Sequence, residues 1–432
     1  MSQVFADEDF ATVRHRVASI FGGSIGNLIE WYDFYIYSFF ALYFAKSFSP
    51  SADPTAQLLS VFSIYAVGFL IRPLGGWILG VYADRQGRRA ALTLSVTLMC
   101  AGSLMIAVLP TYETIGVLAP ILLLVARLVQ GLSLGGEYGT SATYLSEIAV
   151  SKHRGFYSSF QYVTLIGGQL LGSLTLLVMQ LQFSRAQLEG WAWRIPFVIG
   201  ALCAVFGFWL RRNLKETEAF ERTRKAAKVN LFAELMRHPR EILLVFGLTM
   251  GGTTAFYTYT TYMPTFLTNT VKLSQAEATQ ISFITLLIYA ALQPVFGAIS
   301  DRIGRRPVLS FFGIAGTLLT VPMLTMLSGT RDYLTALGLV MGALVVVSGY
   351  TSINAVVKAE LFPASVRALG VGLPYAIAVS LFGGTAPLIA LWFKNQGHES
   401  WFYWYVTALI ACSLAVYATM RDTRHHSRID RD

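Results

Sequence analysis

Ionised side chains are scarce in this chain: Asp, Glu, Lys and Arg make up 13% of 432 residues, while 54% are hydrophobic. Soluble domains carry about 25% charged residues, so a water-soluble fold of this size is excluded. Cysteine is nearly absent. Cys100, Cys203 and Cys412 each fall inside an apolar run, and an odd count without paired spacing excludes a disulfide framework and a thiolate metal centre. The six histidines lie in tails and loops, and no Ser–His–Asp or Cys–His constellation is visible, so an enzyme is not expected. Every glycine-rich run is embedded in apolar sequence, which leaves no phosphate-binding loop and argues against nucleotide-driven work. No cofactor and no metal are expected. A cleavable leader is not expected either, because the first sixteen residues are polar and acidic and the first apolar run is too long for one.

What is present is length of apolar run. Stretches of about 20 residues, enough to cross ~30 Å of hydrocarbon, recur at 18–44, 57–82, 90–109, 117–142, 155–180, 194–211, 242–268, 277–300, 307–327, 334–358, 368–393 and 401–420. Unpaired backbone groups are too costly in lipid, and no alternating strand pattern occurs, so the spans are helices. The fold class is an all-α membrane protein of twelve transmembrane helices. The chain divides into an N-terminal segment (1–17), a six-helix bundle (18–211), a polar linker (212–241), a second bundle (242–420) and a tail (421–432). Placing both termini inside puts 25 of the 33 Lys and Arg residues on the cytoplasmic side. That asymmetry orients the protein in a bacterial-type inner membrane. The net charge of +9 is thus an orientation signal, and nucleic acid is not a partner; lipid is, and a monomer is expected.

The two halves repeat each other. Gly80-Val-Tyr-Ala-Asp84-Arg85-Gln-Gly87-Arg88-Arg89 returns as Gly297-Ala-Ile-Ser-Asp301-Arg302-Ile-Gly304-Arg305-Arg306, with Asp84 and Asp301 217 residues apart. Glu147 with Arg154 returns as Glu360 with Arg367, offset by 213, and a tyrosine follows each arginine by eight positions (Tyr162, Tyr375). Duplication of this kind builds many secondary transporters. Positive charge at the inner loops needs neither the aspartates nor the glutamates. A cytoplasmic gate of Asp84, Arg88, Glu147, Arg154, Asp301, Arg305, Glu360 and Arg367 is therefore expected, with Asp84 at the N-terminal dipole of a helix in the opposite half and paired locally with Arg88.

A charge at mid-bilayer costs ~2.5–3.5 kcal/mol on insertion scales, so each needs a partner or a purpose. Glu30 and Asp33 lie i, i+3 on the first helix, Arg72 lies within the second, and Arg127 and Glu137 lie along the fourth. These groups are expected to face one aqueous chamber between the halves. Asp33, with Glu30 and Glu137, is the proton-coupling candidate; a structural pair with Arg72 or Arg127 is the alternative. Arg72 and Arg127 are candidates for anion contact. Lys358, on a stripe with Thr351 and Asn354 near the cytoplasmic end, reads either as a second cation or as a gate or snorkelling residue. Tyr35, Tyr37, Gln161, Tyr162, Gln169, Tyr257, Tyr259 and Tyr262 complete a lining of uncharged donors, against the plainer reading of hydrogen bonds between helices.

The doubled loop and Arg127-Leu-Val-Gln130-Gly131 resemble motifs of the major facilitator superfamily. Asn27-Leu-Ile-Glu30-Trp31-Tyr32-Asp33-Phe34-Tyr35, Arg72-Pro73-Leu-Gly75-Gly76, Gly135-Gly136-Glu137-Tyr138 and Leu361-Phe362-Pro363-Ala-Ser-Val-Arg367 resemble its metabolite:proton symporter branch. That resemblance implies two pseudo-symmetric six-helix bundles, alternating access, and symport of a small solute with protons as the coupling ion. Gly135-Gly-Glu-Tyr-Gly-Thr-Ser-Ala-Thr-Tyr144 and Tyr257-Thr-Tyr-Thr-Thr-Tyr262 resemble the 2-oxoglutarate carriers of the branch, implying a dicarboxylate. Shikimate, citrate, proline and betaine are the alternatives. The long C-terminal coiled coil common in the proline/betaine type is missing. A non-transporting sensor on the same scaffold is the distant alternative.

Overall fold

The computed structural model describes residues 10–86, 88–135, 137–147, 149–212 and 231–430. The side chains of Asp84, Arg88 and Glu137 lie outside the described residues, as does most of the linker. Among the described residues there is no strand.

Among the described residues twelve helical rods follow one another. The first is Phe10–Phe48. The second is Pro54–Leu70 continued by Arg72–Gln86, and the third is Arg88–Val108. The fourth joins Leu118–Leu134 to Glu137–Glu147; the fifth joins Arg154–Ser158 to Phe160–Gln182; the sixth is Ile195–Arg212. The seventh runs Pro239–Tyr257, Thr258–Tyr262, Met263–Asn269. The eighth is Gln275–Ile303 and the ninth Arg305–Gly329. The tenth is Tyr333–Thr351 with Asn354–Leu361, the eleventh runs from Arg367–Ala378 to Ala386–Asn395, and the twelfth is Glu399–Thr419. Eight stretches are long and apolar enough to cross a bilayer, and Thr93–Val108, Leu118–Leu134 and Ala192–Val205 are shorter apolar helices. Large apolar side chains such as Trp77, Val108, Leu181, Leu243, Leu318 and Trp404 are exposed, which suits a lipid-facing surface.

Polar caps start the second, eighth and tenth helices. Asp53 accepts from the Ala56 amide just before Pro54, Ser274 and Glu277 form a capping box, and Asp332 accepts from the Thr335 amide. Each satisfies an amide that the first helical turn leaves orphaned. The doubled loops lie at the other ends of these rods, on what is called here the motif face.

Three irregularities aim side chains. The second helix breaks at Ile71, directly before Arg72-Pro73, where proline withholds an amide. The seventh and eleventh helices each contain a π turn, Thr258–Tyr262 and Val379–Gly383. A π turn carries an extra residue and rotates everything after it, and such turns cluster at functional sites. Glycine lets the second and fourth helices touch backbone to backbone. A Cβ on Gly75 would sit 2.3 Å from the Leu132 carbonyl oxygen, and one on Gly131 would sit 2.2 Å from that of Gly68. This close approach brings Arg72 and Arg127 to a common neighbour on the first helix, Phe34.

Candidate functional site

Phe34 lies between the two arginines. The guanidinium carbons of Arg72 and Arg127 each sit 4.2 Å from its ring centroid. Arg72 also lies over Phe69 (3.8 Å) and Trp31 (5.1 Å), and Arg127 over Tyr37 (4.3 Å) and Tyr65 (5.2 Å). In a desolvated site a cation over an aromatic face gains about 2 kcal/mol, so these rings hold the cations without neutralising them. Both arginines are buried, and Nε and Nη2 of each have no hydrogen-bond acceptor among the described residues.

Arg72 faces the other half. Beside its guanidinium lies the Tyr257 hydroxyl of the seventh helix, which accepts from Tyr35 at 3.4 Å. Arg127 faces inward. Its Nη1 donates to Gln130 Oε1 at 2.7 Å, and Gln130 Nε2 donates to Asp33 Oδ2 at 3.0 Å and to Ser103 Oγ at 2.9 Å. Ser103 donates to the same Asp33 oxygen. Asp33 Oδ1 packs on Gly200 of the sixth helix, where a Cβ would lie 2.1 Å away.

The contacts of Asp33 therefore come from the third, fourth and sixth helices of its own half. The expectation that it faces a chamber between the halves is corrected: the glycine on the sixth helix admits it to the interior of the N-terminal bundle. Glu30 is buried one turn earlier on the same helix. The Tyr37 hydroxyl is committed to the Val61 carbonyl at 2.8 Å, which leaves its ring, stacked on Tyr65, as its contribution to the site.

A second cluster spans both halves nearer the motif face. Asn354 Nδ2 donates to the hydroxyls of Tyr162 (2.9 Å) and Tyr138 (3.1 Å), and the Tyr162 and Tyr375 hydroxyls are 3.5 Å apart. Tyr138 and Tyr375 stack with centroids 3.6 Å apart. Lys358 Nζ sits 3.8 Å from the Tyr375 ring centroid and 5.4 Å from that of Tyr138. Lys358 is 0% exposed and its ammonium has no hydrogen-bond acceptor among the described residues. The snorkelling reading is thus overturned, because a snorkelling ammonium reaches water. Thr351 leaves the predicted stripe: the helix breaks between Thr351 and Asn354, and Thr351 instead bonds Tyr289 and Gln293 on the eighth helix.

The other predicted lining residues divide. Gln161 accepts from Ser141, within the N-terminal half. Gln169 reaches across to Thr260 (3.0 Å) and Thr261 (3.3 Å). Tyr259 lines a space with Phe312, Met323 and Ile410, and Tyr262 packs on Phe266 and Phe402. Both pack into the C-terminal half and stand apart from the cluster.

The motif face is sealed by ions. Asp301 accepts from the Gly155 (2.8 Å) and Phe156 (2.9 Å) amides, the first turn of a helix in the opposite half, and from Arg305 Nη1 at 2.8 Å. The repeated glutamates and arginines exchange partners across the halves: Arg367 binds Glu147, and Glu360 lies 3.5 Å from Arg305 and 3.9 Å from Arg154. Residues of the tail join them. Thr423 donates to Glu360 at 2.6 Å, Asp422 accepts from the Arg305 and Arg306 amides, and Asp430 takes both Nη atoms of Arg154 at 2.8 and 3.1 Å.

Sequence reasoning left Ser103, Gln130, Tyr138 and Tyr375 out of the site. Tyr375 carried a signal, the offset of 213 from Tyr162, and Gln130 and Tyr138 lay within quoted motifs. Ser103 had none.

Residues 20–231 match the Sugar (and other) transporter family and residues 245–431 the Major Facilitator Superfamily. The chain is 51% identical to the alpha-ketoglutarate permease of Escherichia coli K12, over 96% of each chain. It is 35% identical to the citrate-proton symporter of Klebsiella pneumoniae (87% of this chain, 85% of the relative) and 31% identical to the proline/betaine transporter of E. coli K12 (94% and 83%). The solved xylose transporter XylE from E. coli, in a partially occluded inward open conformation, superposes with a TM-score of 0.71 at 18% identity, covering 92% of this chain and 96% of that one. With its duplicated halves, its twelve rods and these relatives, the chain belongs to the major facilitator superfamily of membrane transporters.

Proposed function

We propose that the protein imports a dicarboxylate, 2-oxoglutarate, together with protons, by rocking its two bundles about the central cluster. The observation that carries this reading is the set of buried cationic donors with no hydrogen-bond acceptor among the described residues: Nε and Nη2 of Arg72 and of Arg127 around Phe34, and Nζ of Lys358 among the tyrosines. Buried charges are costly unless paired, and a doubly negative solute supplies the missing partners. Arg72 and Lys358 belong to elements that meet between the halves, so one carboxylate is assigned to each, with Arg127 as a further donor to the first across the Phe34 ring that it shares with Arg72. Asn354, Tyr162, Tyr138, Tyr375 and Tyr257 offer uncharged donors between them. The likeness to the alpha-ketoglutarate permease supports the choice of solute.

Charge explains the proton. A dianion entering a negative-inside cell is opposed by ~2.3 kcal/mol per charge per 100 mV, and two accompanying protons cancel that penalty. Asp33 is the proposed carrier, with Glu30 and Glu137 as further candidates. The motif face is proposed to be cytoplasmic, with both termini on that side, the division at 18–211 and 242–420 marking the rocking units, and the ions of the motif face acting as gate. The working form is proposed to be a monomer that needs no metal or organic cofactor.

The test is uptake of labelled 2-oxoglutarate by proteoliposomes made acid outside, with citrate, shikimate, proline and betaine as competitors. Accumulation that unlabelled 2-oxoglutarate abolishes is expected. Accumulation abolished by citrate at lower concentration would instead assign the tricarboxylate. Binding without accumulation under any gradient sinks the transport reading.

A further inference from the structure

We propose that Gln130 is the positioning residue that couples the proton on Asp33 to the anion site, by reading the charge of Asp33 and passing it to Arg127. This rests on the assignment of Asp33 as proton carrier above. It assigns a role to a side chain that neither titrates nor is assigned to the solute, and that bonds to both Asp33 and Arg127.

The geometry is a buried chain of three links. Gln130 presents its carbonyl to Arg127 at 2.7 Å and its amide NH2 to Asp33 at 3.0 Å, and Gln130, Asp33 and Arg127 are all fully buried. An amide has one donor end and one acceptor end. Gln130 can therefore hold the guanidinium with its oxygen only while its nitrogen points at the carboxylate. Ser103 braces the arrangement by meeting both Asp33 Oδ2 and Gln130 Nε2. Gln130 is itself wedged against the third helix, where a Cβ on Gly102 would lie 2.5 Å from its Cγ, so its stem is held while the amide end can turn.

The far end of the chain reaches the other cation. Arg127 and Arg72 share the Phe34 ring, and Arg72 lies beside Tyr257 of the opposite half. While Asp33 is ionised, the NH2 of Gln130 is held by a charged acceptor and its carbonyl restrains Arg127. Once Asp33 takes a proton the bond falls to roughly half its strength. The amide then loses its orientation, and Arg127 turns its donors toward the solute. Anion binding at Arg127 in turn withdraws the guanidinium from Gln130, and by reciprocity the solute favours the protonated acid as much as the proton favours the solute. That is the coupling a symporter needs, obtained without direct contact between acid and anion.

The titratable and charged groups around Asp33 are Tyr32 and Glu30 on its own helix, Cys100 on the third, Arg127 on the fourth and Cys203 on the sixth. Tyr65 of the second helix and Tyr257 of the seventh lie beyond the arginines. Gln130 is the residue bonded to both Asp33 and Arg127, which separates its effect from general burial.

The experiment compares the intact protein with Gln130→Met, which keeps the length and removes the dipole. Both are assayed in proteoliposomes with labelled 2-oxoglutarate, first in exchange with equal pH on both sides and then in accumulation driven by outside acid. Hydrogen bonds to charged groups contribute ~1.5–3 kcal/mol. Gradient-driven accumulation is therefore expected to fall about tenfold or more, while exchange persists and its KM loses its dependence on pH. Should Gln130→Met not reach the membrane, Gln130→Glu keeps the shape and turns a second acceptor toward Asp33, and a displaced pH profile of exchange is expected. A parental ratio of accumulation to exchange with a parental pH profile, in whichever variant is assayed, overturns the proposal. Asp33→Asn separates the two claims. If it accumulates normally, the proton assignment fails; if it does not while Gln130→Met behaves as the parent, the coupling role of Gln130 alone fails.

Discussion

At the residue scale the protein's chemistry is the handling of a few cations in a place without water. Arg72 and Arg127 are held by aromatic faces, and Lys358 by the stacked rings of Tyr138 and Tyr375. A ring fixes a cation in position and leaves its N–H donors for another acceptor. Lys358→Met removes one such donor and keeps an unbranched side chain one atom shorter. A charge-assisted contact of ~1.5–3 kcal/mol predicts a rise in the KM of uptake of about ten- to a hundredfold. An unchanged KM for 2-oxoglutarate would remove Lys358 from the solute site. Phe34 is the more telling position, because one ring serves two guanidiniums. Phe34→Leu keeps the volume apolar and removes both contacts, at up to about 2 kcal/mol each. Its expected signature is a loss of thermal stability in detergent together with weaker solute binding by calorimetry. Were stability and binding both untouched, the shared ring would be incidental to the two arginines.

At the scale of elements, the duplicated loops close one end of the molecule through exchanged partners. Asp301 sits on the first-turn amides of the fifth helix, and Glu360 lies between Arg305 and Arg154, contributed by the two halves. Breaking a buried pair by removing one member costs about 3–5 kcal/mol, since it leaves the other charge uncompensated. Glu360→Gln is therefore expected to open the motif face, read as faster labelling of a cysteine placed at Ser300.

The tail adds a pH-sensitive contact. Hydrogen bonding by Arg154 holds the Asp430 carboxyl below its ordinary value. A lowered folded value means that the contact contributes at neutral pH and is lost as pH falls below the ordinary carboxylate range, through the folded value. The melting temperature of Asp430→Asn should thus lie below the parent's at neutral pH and converge with it in acid.

Much of this end was legible in the sequence, where the doubled motif announced both the duplication and its ions. The exchange of partners was not. Glu147 and Arg154, seven residues apart, read as a local pair, and only the packing of the halves turns Arg367 to Glu147. The π turn that carries Tyr259 and Tyr262 was hidden for a related reason: it follows from packing around the seventh helix and leaves no spacing to read.

At the scale of the whole molecule, rocking requires that the two bundles part at one end while remaining in contact at the centre. The twelve spans and their pairing into halves were readable because lipid imposes length and apolarity on every helix. The position of Asp33 was not, because the sequence shows only that an acid is buried and not which neighbouring backbone makes room for it; the room is made by Gly200, 167 residues away. The same use of glycine governs the closure of the motif face. A Cβ on Gly155 would lie 2.4 Å from Arg305 Nη1 and 2.7 Å from the Gly297 carbonyl oxygen, and one on Gly297 would lie 2.6 Å from that of Gly155. The fifth and eighth helices thus meet backbone to backbone at the point where Asp301 binds the opposite half. Gly155→Val cannot fit there without displacing Arg305 or prising the halves apart. The side chain sits where the bundles meet and away from the central cations, so solute binding measured in detergent should fall less than about threefold, under 1 kcal/mol. Closure of the motif face should fail, and exchange across proteoliposomes should drop in proportion to the lost population of the closed state. A variant that binds and exchanges like the parent would mean that the contact of Gly155 with Gly297 is not needed for turnover, and that the halves close on their ion pairs alone.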